Sequence, residues 1–373
     1  MNTSITYVGM DTHKKEHTVA VNYPGHEEIA RFTIRNTPAE IRKLVKRVGK
    51  QTPGEVRFCY EAGVCGFTLK RRIEALGCSC SVIAPSLVPT KPGERVKTDH
   101  RDALKLLGLF KAGLLTEVYA PNGEQEAARD LVRCRDAARI NLKRIQHQVV
   151  KFLTRHGYVF TDGDHWTQKH FCWMRSLEFD VPRLRDVFDH YFTELQHSMQ
   201  RLASLDKEVV ALAQESPYRE IVGILRCFHG IDTLTAIAYV TELFEFGRFA
   251  SPRGLMSYLG LTPSEWSSGQ TERRGSITKA GNKRVRRLLV QTAWNYRHPY
   301  KVSRALRQRR AGQPQWAIDI ADRAGRRLRR RYWYLINHGK MSCKANVAIA
   351  RELIGFLWSV FREYELRTGQ TAF

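Results

Sequence analysis

The sequence predicts an α/β domain in its first 123 residues and an all-α remainder. Three observations support this division. Before residue 123, short apolar runs bounded by turn residues alternate with helix-length amphipathic segments. From residue 124 onward, apolar residues recur mainly at helical spacing. Acidic residues also stand at the ends of two apolar runs, where open α/β sheets place their functional groups.

The N-terminal domain, residues 1–123, is expected to contain a five-stranded sheet. The predicted strands are Ile5–Asp11, His17–Tyr23, Ile29–Ile34, Val56–Glu61 and Ser79–Ala84. The predicted helices are Pro38–Val48, after a cap signal at Asn36 and Thr37, and Phe67–Leu76. Three consecutive strands suggest an antiparallel meander, and the later β-α-β-α order implies a parallel extension. This order matches the ribonuclease-H-like layout. Residues 85–98, rich in Pro and Lys, are predicted to form a mobile basic loop.

Residues 124–215 are predicted to form a long helical, coiled-coil segment. Apolar residues recur at helical spacing from Leu131 to Leu153, and a second long helix is expected over Phe188–Ala213. Two helices of this length suggest an antiparallel pair or a dimerising coiled coil. A plain helical spacer and a nucleic-acid-binding role both remain open for this segment.

Residues 216–373 are predicted to form a separate, mostly helical domain. The segment Ile224–Ala236 resembles a helix-hairpin-helix, in which a glycine turn and helix amide groups grip a phosphate. Asp232 stands where the second glycine is usual, so a plain helical turn is an equal alternative. A last amphipathic helix is expected between Ala345 and Tyr364.

The charge balance indicates a polyanionic partner. Lys and Arg number 61 against 37 acidic residues, a formal charge of +24, and nucleic acid is the commonest such partner. A basic membrane-surface protein is the alternative, and it is disfavoured because no apolar run approaches the roughly 20 residues that span a bilayer and no signal peptide is recognisable. The eight cysteines include no C-x-x-C pair, which favours reduced thiols in a cytosol over a zinc site.

Four carboxylates form the pattern with the clearest chemistry. Asp11 and Glu61 each end an apolar run, and Asp99 and Asp102 open a periodic segment on one helix face. Clustered carboxylates repel one another unless cations neutralise them, and oxygen ligands suit Mg²⁺ or Mn²⁺. Two such ions about 4 Å apart can stabilise the attacking and leaving oxygens at a phosphodiester. The pattern therefore predicts metal-dependent phosphoryl transfer on nucleic acid.

Each carboxylate also has a structural explanation. Asp11 can be a turn or cap residue, and Asp99 or Asp102 can cap the following helix and favour its dipole. Glu61 is harder to explain, because a carboxylate that closes an apolar run is costly unless it is paired or metal-bound. The order of strand Asp, strand Glu and helix Asp-x-x-Asp is more specific than any of its members.

Two cationic segments are predicted to bind nucleic acid. The first follows a Ser/Gly loop at 260–269 and begins a helix with Lys and Arg on one face. The second, residues 301–331, carries eleven Lys or Arg with neighbouring aromatics, which suits structured RNA or unstacked bases. The predicted contact residues are Lys279, Asn282, Lys283, Arg286, Arg287, Arg326, Arg327 and Arg330. A turn-forming loop, a solvated basic face and core aromatics are the structural alternatives.

Five groups of residues occur in the order found in one known family. They are Gly9-Met10-Asp11-Thr12-His13-Lys14, Tyr60-Glu61-Ala62-Gly63, Lys97-Thr98-Asp99-His100-Arg101-Asp102-Ala103, Gly260-Leu261-Thr262-Pro263 followed by Ser268-Gly269, and Thr278-Lys279-Ala280-Gly281-Asn282. In these motifs the chain resembles the DEDD-type transposases of bacterial insertion sequences. That family comprises bridge-RNA-guided serine recombinases with a RuvC-like N-terminal domain. The chain departs from the family pattern at Asp232 and in its aromatic-rich middle segment.

The resemblance implies a site with a metal cluster and a nucleophile. The implied metal ligands and catalytic residues are Asp11, Glu61, Asp99 and Asp102. Ser268 is implied as the nucleophile that forms a covalent phosphoserine link to DNA. The residues alone do not select Ser268 over Ser264, Ser267 or Ser276. The resemblance further implies a noncoding guide RNA that selects DNA by base pairing. The serine lies more than 150 residues from the acids, so the two domains must meet, within one chain or between protomers. The resemblance implies composite sites built across subunits, and therefore a dimer or tetramer with the long helices as the interface.

Two other functions fit parts of the sequence. A junction-resolving nuclease would use the four carboxylates with water as the nucleophile and would need no serine. A basic nucleic-acid-binding protein without chemistry would need neither feature. The intact acidic quartet argues against this last interpretation.

Overall fold

The computed structural model describes residues 4–52, 54–89, 98–268 and 271–369. The chain divides into two compact units, Met1–Asn122 and Gly123–Phe373. The first is a mixed α/β unit and the second is mostly helical, as predicted from the sequence. Within the described ranges, no helix combines the length and apolar character needed to cross a membrane.

A five-stranded sheet organises the first unit. Its strands are β1 (Thr6–Thr12), β2 (Glu16–Asn22), β3 (Ala30–Arg35), β4 (Val56–Glu61) and β5 (Ser79–Ile83). The strand order is β3-β2-β1-β4-β5. The first three strands pair antiparallel, whereas β4 and β5 extend the sheet from β1 in parallel. The predicted meander with a parallel extension is confirmed.

Helices pack on both faces of this sheet. They are α1 (Pro38–Lys50), α2 (Thr68–Glu74) and α3 (Asp99–Lys111). The helices α1 and α2 share a core with Val8 and Met10 of β1, whereas Ala103 and Leu107 of α3 pack against Ala20 of β2 on the other face. Because successive side chains of a strand point to opposite faces of the sheet, every second residue faces α3. Of the predicted basic loop 85–98, residues 90–97 lie outside the described residues.

Gly9 allows α3 to lie directly on β1. A Cβ atom at Gly9 would lie 2.7 Å from the carbonyl oxygen of Ala103 and 2.7 Å from the amide nitrogen of Leu107. Both atoms belong to the helix backbone, so the helix would have to shift as a whole. The close approach fixes the position of α3, and with it the acidic residues of its first turn.

Gly9→Ala is expected to lower the free energy of unfolding by about 1–3 kcal/mol, the usual cost of overpacking a close-packed interior. Urea denaturation measures this change. Gly108→Ala is the matched control, because Gly108 lies on α3 and a Cβ there meets nothing within 4 Å. The control should be neutral or stabilising by up to about 1 kcal/mol. Equal unfolding midpoints for both variants would contradict the close packing of α3 on β1.

Helices dominate the second unit. They are α4 (Gly123–Arg155), α5 (Gln168–Arg175), α6 (Pro182–Leu212), α7 (Tyr218–Leu225), α8 (Thr233–Leu243), α9 (Pro252–Tyr258), α10 (Lys283–Ala293), α11 (Arg304–Arg310), α12 (Gln315–Asn337) and α13 (Ser342–Thr368). A core formed mainly by α7, α8, α10, α12 and α13 holds this unit together.

The long helices α4 and α6 form an antiparallel pair within one chain. Arg135 of α4 binds Asp206 of α6 near one end, at 2.6 Å, and Phe152 packs against Tyr191 toward the other end. This is one of the two arrangements predicted from the sequence. Val209 near the end of α6 also belongs to the core shared with the following helices. The separate domain boundary near residue 215 stays a prediction.

A β-hairpin replaces the loop predicted at residues 260–269. Strands β6 (Pro263–Ser268) and β7 (Thr271–Ile277) pair antiparallel, with Ser268 opposite Thr271. Serine and glycine are typical of turns, but pairing with β7 stabilises an extended backbone that the local pattern does not reveal. Residues 269 and 270 between the strands lie outside the described residues.

Candidate active site

Asp11 and Glu61 end two adjacent parallel strands. The parallel pairing between β1 and β4 ends at Met10 and Tyr60, so Asp11 and Glu61, the next residues of the two strands, lie side by side along the same edge of the sheet. This is the carboxyl-terminal edge, where open α/β sheets bind their ligands. The structure therefore confirms the strand positions predicted for both residues.

Side-chain alternation directs these two residues toward α3. Asp11 has the parity of Gly9, which contacts the α3 backbone. Glu61 has the parity of Cys59, whose side chain packs with Leu106 of α3. The face of the sheet that carries both acids is thus the face that α3 covers.

The first turn of α3 supplies the other two acids. Thr98 caps the helix by accepting a hydrogen bond from the amide of Arg101, and Asp99 and Asp102 follow in the first turn. Negative charge at this position also stabilises the helix through its dipole. The capping explanation and a metal-binding role are therefore compatible. The structure brings these acids close enough to Asp11 for their charges to act on it.

Burial raises the pKa of Asp11. The negative charges of Asp99 and Asp102 raise it further, while a nearby histidine, His13, opposes the shift. Like charges that converge at a partly buried site destabilise one another. A cation bound among them would relieve this repulsion, which is the physical reason for expecting one here.

His13 also belongs to this cluster, and the sequence pattern alone did not predict it. Its Nε2 lies 3.2 Å from Asp11 Oδ2 and 3.5 Å from Asp99 Oδ2. One ligand atom from each of the three residues lies within 4.8 Å of the other two. The signal in the sequence was the i, i+2 spacing of Asp11 and His13 at the end of β1, which favours the same side of an extended backbone.

The donor atoms of this cluster fit a divalent metal ion. Carboxylate oxygens from two elements of the fold converge with one imidazole nitrogen. Oxygen ligands suit Mg²⁺ or Mn²⁺, and an imidazole is the better ligand for the transition metal. Asp11 and Asp99 are the ligands that this geometry supports most directly. Glu61 lies at the adjacent strand end and Asp102 lies one helical turn along.

In the second unit, hydrogen bonds to backbone carbonyls hold the base of the β6–β7 hairpin in place. The amide of Lys279 donates to the carbonyl of Gly260 at 3.1 Å. The guanidinium of Arg286 donates to the carbonyls of Leu259 and Ala280, at 2.8 and 2.6 Å. Arg286, predicted to contact nucleic acid, therefore binds the protein backbone in this structure. It fixes the strand that leads to Ser268.

Asn282 and Arg287, also predicted as nucleic-acid contacts, have partners inside the protein. Asn282 caps α10 and donates to Glu242 at 2.8 Å. Arg287 donates to both carboxylate oxygens of Asp136 in α4, at 2.9 and 3.0 Å. Burial works to raise the pKa of Asp136, but the cations around it, with Arg287 the strongest, prevail and lower it. These residues tie α10 to α4 and α8.

Lys279 and Lys283 are exposed, and so are the predicted contact residues of α12. A groove between α12 and α13 is lined by Arg323, Arg326, Arg327, Arg330, Ile320, Phe356 and Ser359. Asp322 lies 3.5 Å from Arg326, and Glu352 lies 3.2 Å from Arg327. Both arginines remain more than half exposed, at 69% and 61%. Exposed pairs of this kind are weak, so the groove keeps a strong positive charge.

The segment that resembles a helix-hairpin-helix does form two helices, α7 and α8, joined by a turn. Gly230 adopts a positive φ of 80° in that turn. Asp232 caps α8, and its carboxylate accepts a hydrogen bond from the amide of Thr235 at 2.8 Å. A carboxylate at the helix N-terminus competes with a phosphate for the same amide groups. The geometry favours a plain helical turn.

Comparisons with known proteins match both units. Residues 8–157 match a family model described as a transposase of the DEDD, IS110 type, and residues 223–308 match the model described as the transposase IS116/IS110/IS902 family. A Sinorhizobium fredii protein named as transposase y4qE is 38% identical over 97% of this chain and 90% of its own length. The transposase for insertion sequence element IS1533 of Leptospira borgpetersenii is 32% identical over 87% of this chain and 95% of its own length.

Proposed function

The chain belongs to the IS116/IS110/IS902 family of transposases, and we propose that it cuts and rejoins DNA by metal-assisted serine chemistry guided by a noncoding RNA. The proposed metal ligands are Asp11, Glu61, Asp99 and Asp102, and the proposed nucleophile is Ser268. The observation that carries the metal-dependent part of the proposal is the convergence of Asp11 and Asp99 around His13, beside the strand end that bears Glu61. The serine and the guide RNA rest on the family resemblance.

The architecture of the first unit supports this role. The sheet has the order β3-β2-β1-β4-β5. Strands β1, β2 and β3 pair antiparallel, and β4 and β5 continue from β1 in parallel. This arrangement fits a ribonuclease-H-like, RuvC-like fold. The acids sit at the strand ends and the helix start, where such a fold would bind metal. Transposases of the DEDD type generally depend on divalent metal. A divalent cation held there supplies Lewis-acid stabilisation of negative charge on the reacting phosphate.

The serine step conserves the number of phosphodiester bonds. Ser268 Oγ forms a bond to phosphorus, and the bond from phosphorus to one sugar oxygen breaks. That sugar leaves as a hydroxyl, which takes the proton that the serine loses. The reverse reaction with the hydroxyl of another strand rejoins the DNA and restores the serine. No nucleotide cofactor is needed, because one ester replaces another. The hydroxyl requires activation to react at neutral pH.

The basic surfaces of the second unit support contacts with nucleic acid. In this proposal Lys279, Lys283 and the α12 groove bind phosphates of DNA or of the guide RNA. Base pairing with the RNA would carry the choice of target, and the protein would bind the sugar–phosphate backbone. Arg286, Arg287 and Asn282 support this surface from within through the contacts described above.

Arg326→Ala combined with Arg330→Ala is expected to weaken nucleic-acid binding at every sequence tested. Each lost phosphate contact should lower the slope of log Kd against log salt by about 1, so the double variant should lose about 1–2. Fluorescence anisotropy over a salt series measures the slope. Arg42→Ala with Lys46→Ala removes the same charge from exposed positions of α1 and should leave the slope nearly unchanged. Equal slopes for both double variants would exclude the groove as a contact.

An oligomer built through the long helices is part of the proposal. Four apolar side chains on α4 and α6 are exposed: Ile140, Val187, Met199 and Val210, at 54, 42, 38 and 40%. They stand outside the core that joins α4 to α6. In this proposal these side chains are covered by the helices of a second copy of the chain. Sedimentation analysis distinguishes a dimer or tetramer from a monomer.

A metal-dependent nuclease that uses water as its nucleophile is the second candidate. The observation in its favour is that Asp11 of β1 and Asp99 of α3 converge within the first unit, beside the strand end that bears Glu61. The two candidates differ in their product. The nuclease releases free DNA ends, whereas the recombinase holds a strand covalently on the protein.

Incubation of the purified protein with the ends of its element, with and without Mg²⁺ and RNase treatment, tests the proposed function. We expect the protein to join DNA strands. Chelation of the metal and digestion of the co-purified RNA should each abolish this joining. Joining that persists after complete RNA removal would contradict the guide-RNA element. Joining that persists in excess EDTA would contradict the role of the carboxylate cluster.

A further inference from the structure

Trp266 on β6 is exposed to an unusual degree. Its side chain is 71% exposed, the highest value among the tryptophan, tyrosine and phenylalanine side chains that the structure describes. Trp333 and Tyr334, on α12, follow at 43 and 49%. A large aromatic side chain gains free energy from burial, so an exposed indole is a candidate for contact with a partner. Trp266 lies two residues before Ser268 in the same strand.

One edge of the Trp266 indole packs against the facing strand of the hairpin, β7. A Cβ atom at Gly275 of β7 would lie 3.2 Å from Cζ3 of the Trp266 ring and 2.4 Å from Ser264 Oγ. Ser264 Oγ donates a hydrogen bond to the carbonyl of Ser276 at 3.1 Å. The absence of a side chain at Gly275 thus leaves room for one edge of the ring, and the rest of the ring faces solvent.

Directly opposite Trp266 in the hairpin register is Arg273, which is also exposed. An aromatic ring beside a guanidinium is the combination with which proteins bind single strands: the ring stacks on a base and the cation meets a phosphate. Lys279 and Lys283 follow at exposed positions after β7. The positive charges favour nucleic acid over a second apolar protein surface as the occupant.

We propose that Trp266 stacks on an unpaired base of the DNA strand next to the phosphate attacked by Ser268, with Arg273 binding the adjoining phosphate. This inference rests on the proposed function and adds a contact that fixes the register of the strand. Stacking is tolerant of sequence, because every base has a π-face. Trp266 would therefore hold the strand in place while base pairing with RNA selects it.

The test uses DNA with 2-aminopurine at positions flanking the joined phosphate, and it has two readouts. The first is quenching of 2-aminopurine fluorescence on binding, measured in the full chain carrying Ser268→Ala so that no chemistry occurs. The second is the yield of joined strands in the chain with Ser268 intact. The variants are Trp266→Ala, Trp266→Phe and Gly275→Ala, with Leu366→Ala as a matched control because Leu366 is an equally exposed apolar residue, at 73%.

We expect Trp266→Ala to remove the quenching at one position and to lower DNA affinity or joining about tenfold. Trp266→Phe should restore most of both, Gly275→Ala should give an intermediate loss, and Leu366→Ala should match the parent protein. Quenching and joining unchanged by Trp266→Ala would overturn the inference. Because quenching needs no reaction, loss of joining in every protein would count against the proposed function while the quenching readout still decides the stacking.

Discussion

Ser268→Ala is expected to abolish the covalent link between the protein and DNA. Alanine has no hydroxyl oxygen to bond to phosphorus, so the strand cannot be held on the protein. Strand joining through that link should fall below detection, while DNA binding stays near that of the unchanged protein. The measurement is a denaturing gel that separates protein-linked DNA from free DNA.

Ser264→Ala is the matched control for this prediction. Ser264 lies on the same strand, and its hydroxyl donates to the carbonyl of Ser276, so it has a structural partner. Its replacement should leave the covalent link in place. A link that survives Ser268→Ala but is lost in Ser264→Ala would contradict the prediction, because it would identify Ser264 as the nucleophile.

Asp11→Asn is expected to lower metal-dependent DNA processing by roughly 10²–10⁴-fold. The amide keeps the size of the side chain but loses its negative charge, and metal-ion catalysis contributes several kcal/mol of charge stabilisation. Calorimetric titration with Mn²⁺ should show correspondingly weaker binding. Glu40→Gln on α1 is the control, because Glu40 pairs with Lys43 at 2.7 Å and takes no part in the cluster.

The same substitution should leave the fold intact. Burial destabilises the Asp11 carboxylate and raises its pKa, His13 offsets part of this cost, and the charges of Asp99 and Asp102 add to it. Asparagine removes both costs, so the melting temperature in EDTA should equal or exceed that of the unchanged protein. Lost processing with retained stability separates a role in metal binding from a structural one. A large fall in melting temperature would contradict this account of the cluster.

Local patterns explain why so much of the first unit could be predicted. The strands that bear the acids, β1 and β4, are short apolar runs with clear boundaries, β3 alternates polar and apolar residues, and α1 begins at the predicted cap, Thr37. Asp11 and Glu61 were recognisable because they end such runs. Their proximity followed from a general rule, because the carboxyl ends of parallel strands meet at one edge of the sheet. The decisive packing contact at Gly9 left only a faint signal, one glycine within a strand.

The second unit was harder because its partners lie far apart in sequence. Arg287 and Asp136 are separated by 151 positions, and Arg286 binds the carbonyl of Leu259 across 27. A basic helix face looks the same in sequence whether its cations meet phosphate or a buried carboxylate. The hairpin that carries Trp266 has the composition of a loop, and the pairing of β6 with β7 depends on register rather than on composition.

The most direct test of the central claim is the denaturing-gel assay with the unchanged protein, Ser268→Ala and Asp11→Asn side by side. Each is mixed with element-end DNA, co-purified RNA and Mg²⁺. Metal-dependent serine recombination predicts a protein-linked DNA band from the unchanged protein that both substitutions remove. Metal-dependent cleavage without such a band, unaffected by Ser268→Ala but lost in Asp11→Asn, would contradict serine recombination and establish the nuclease.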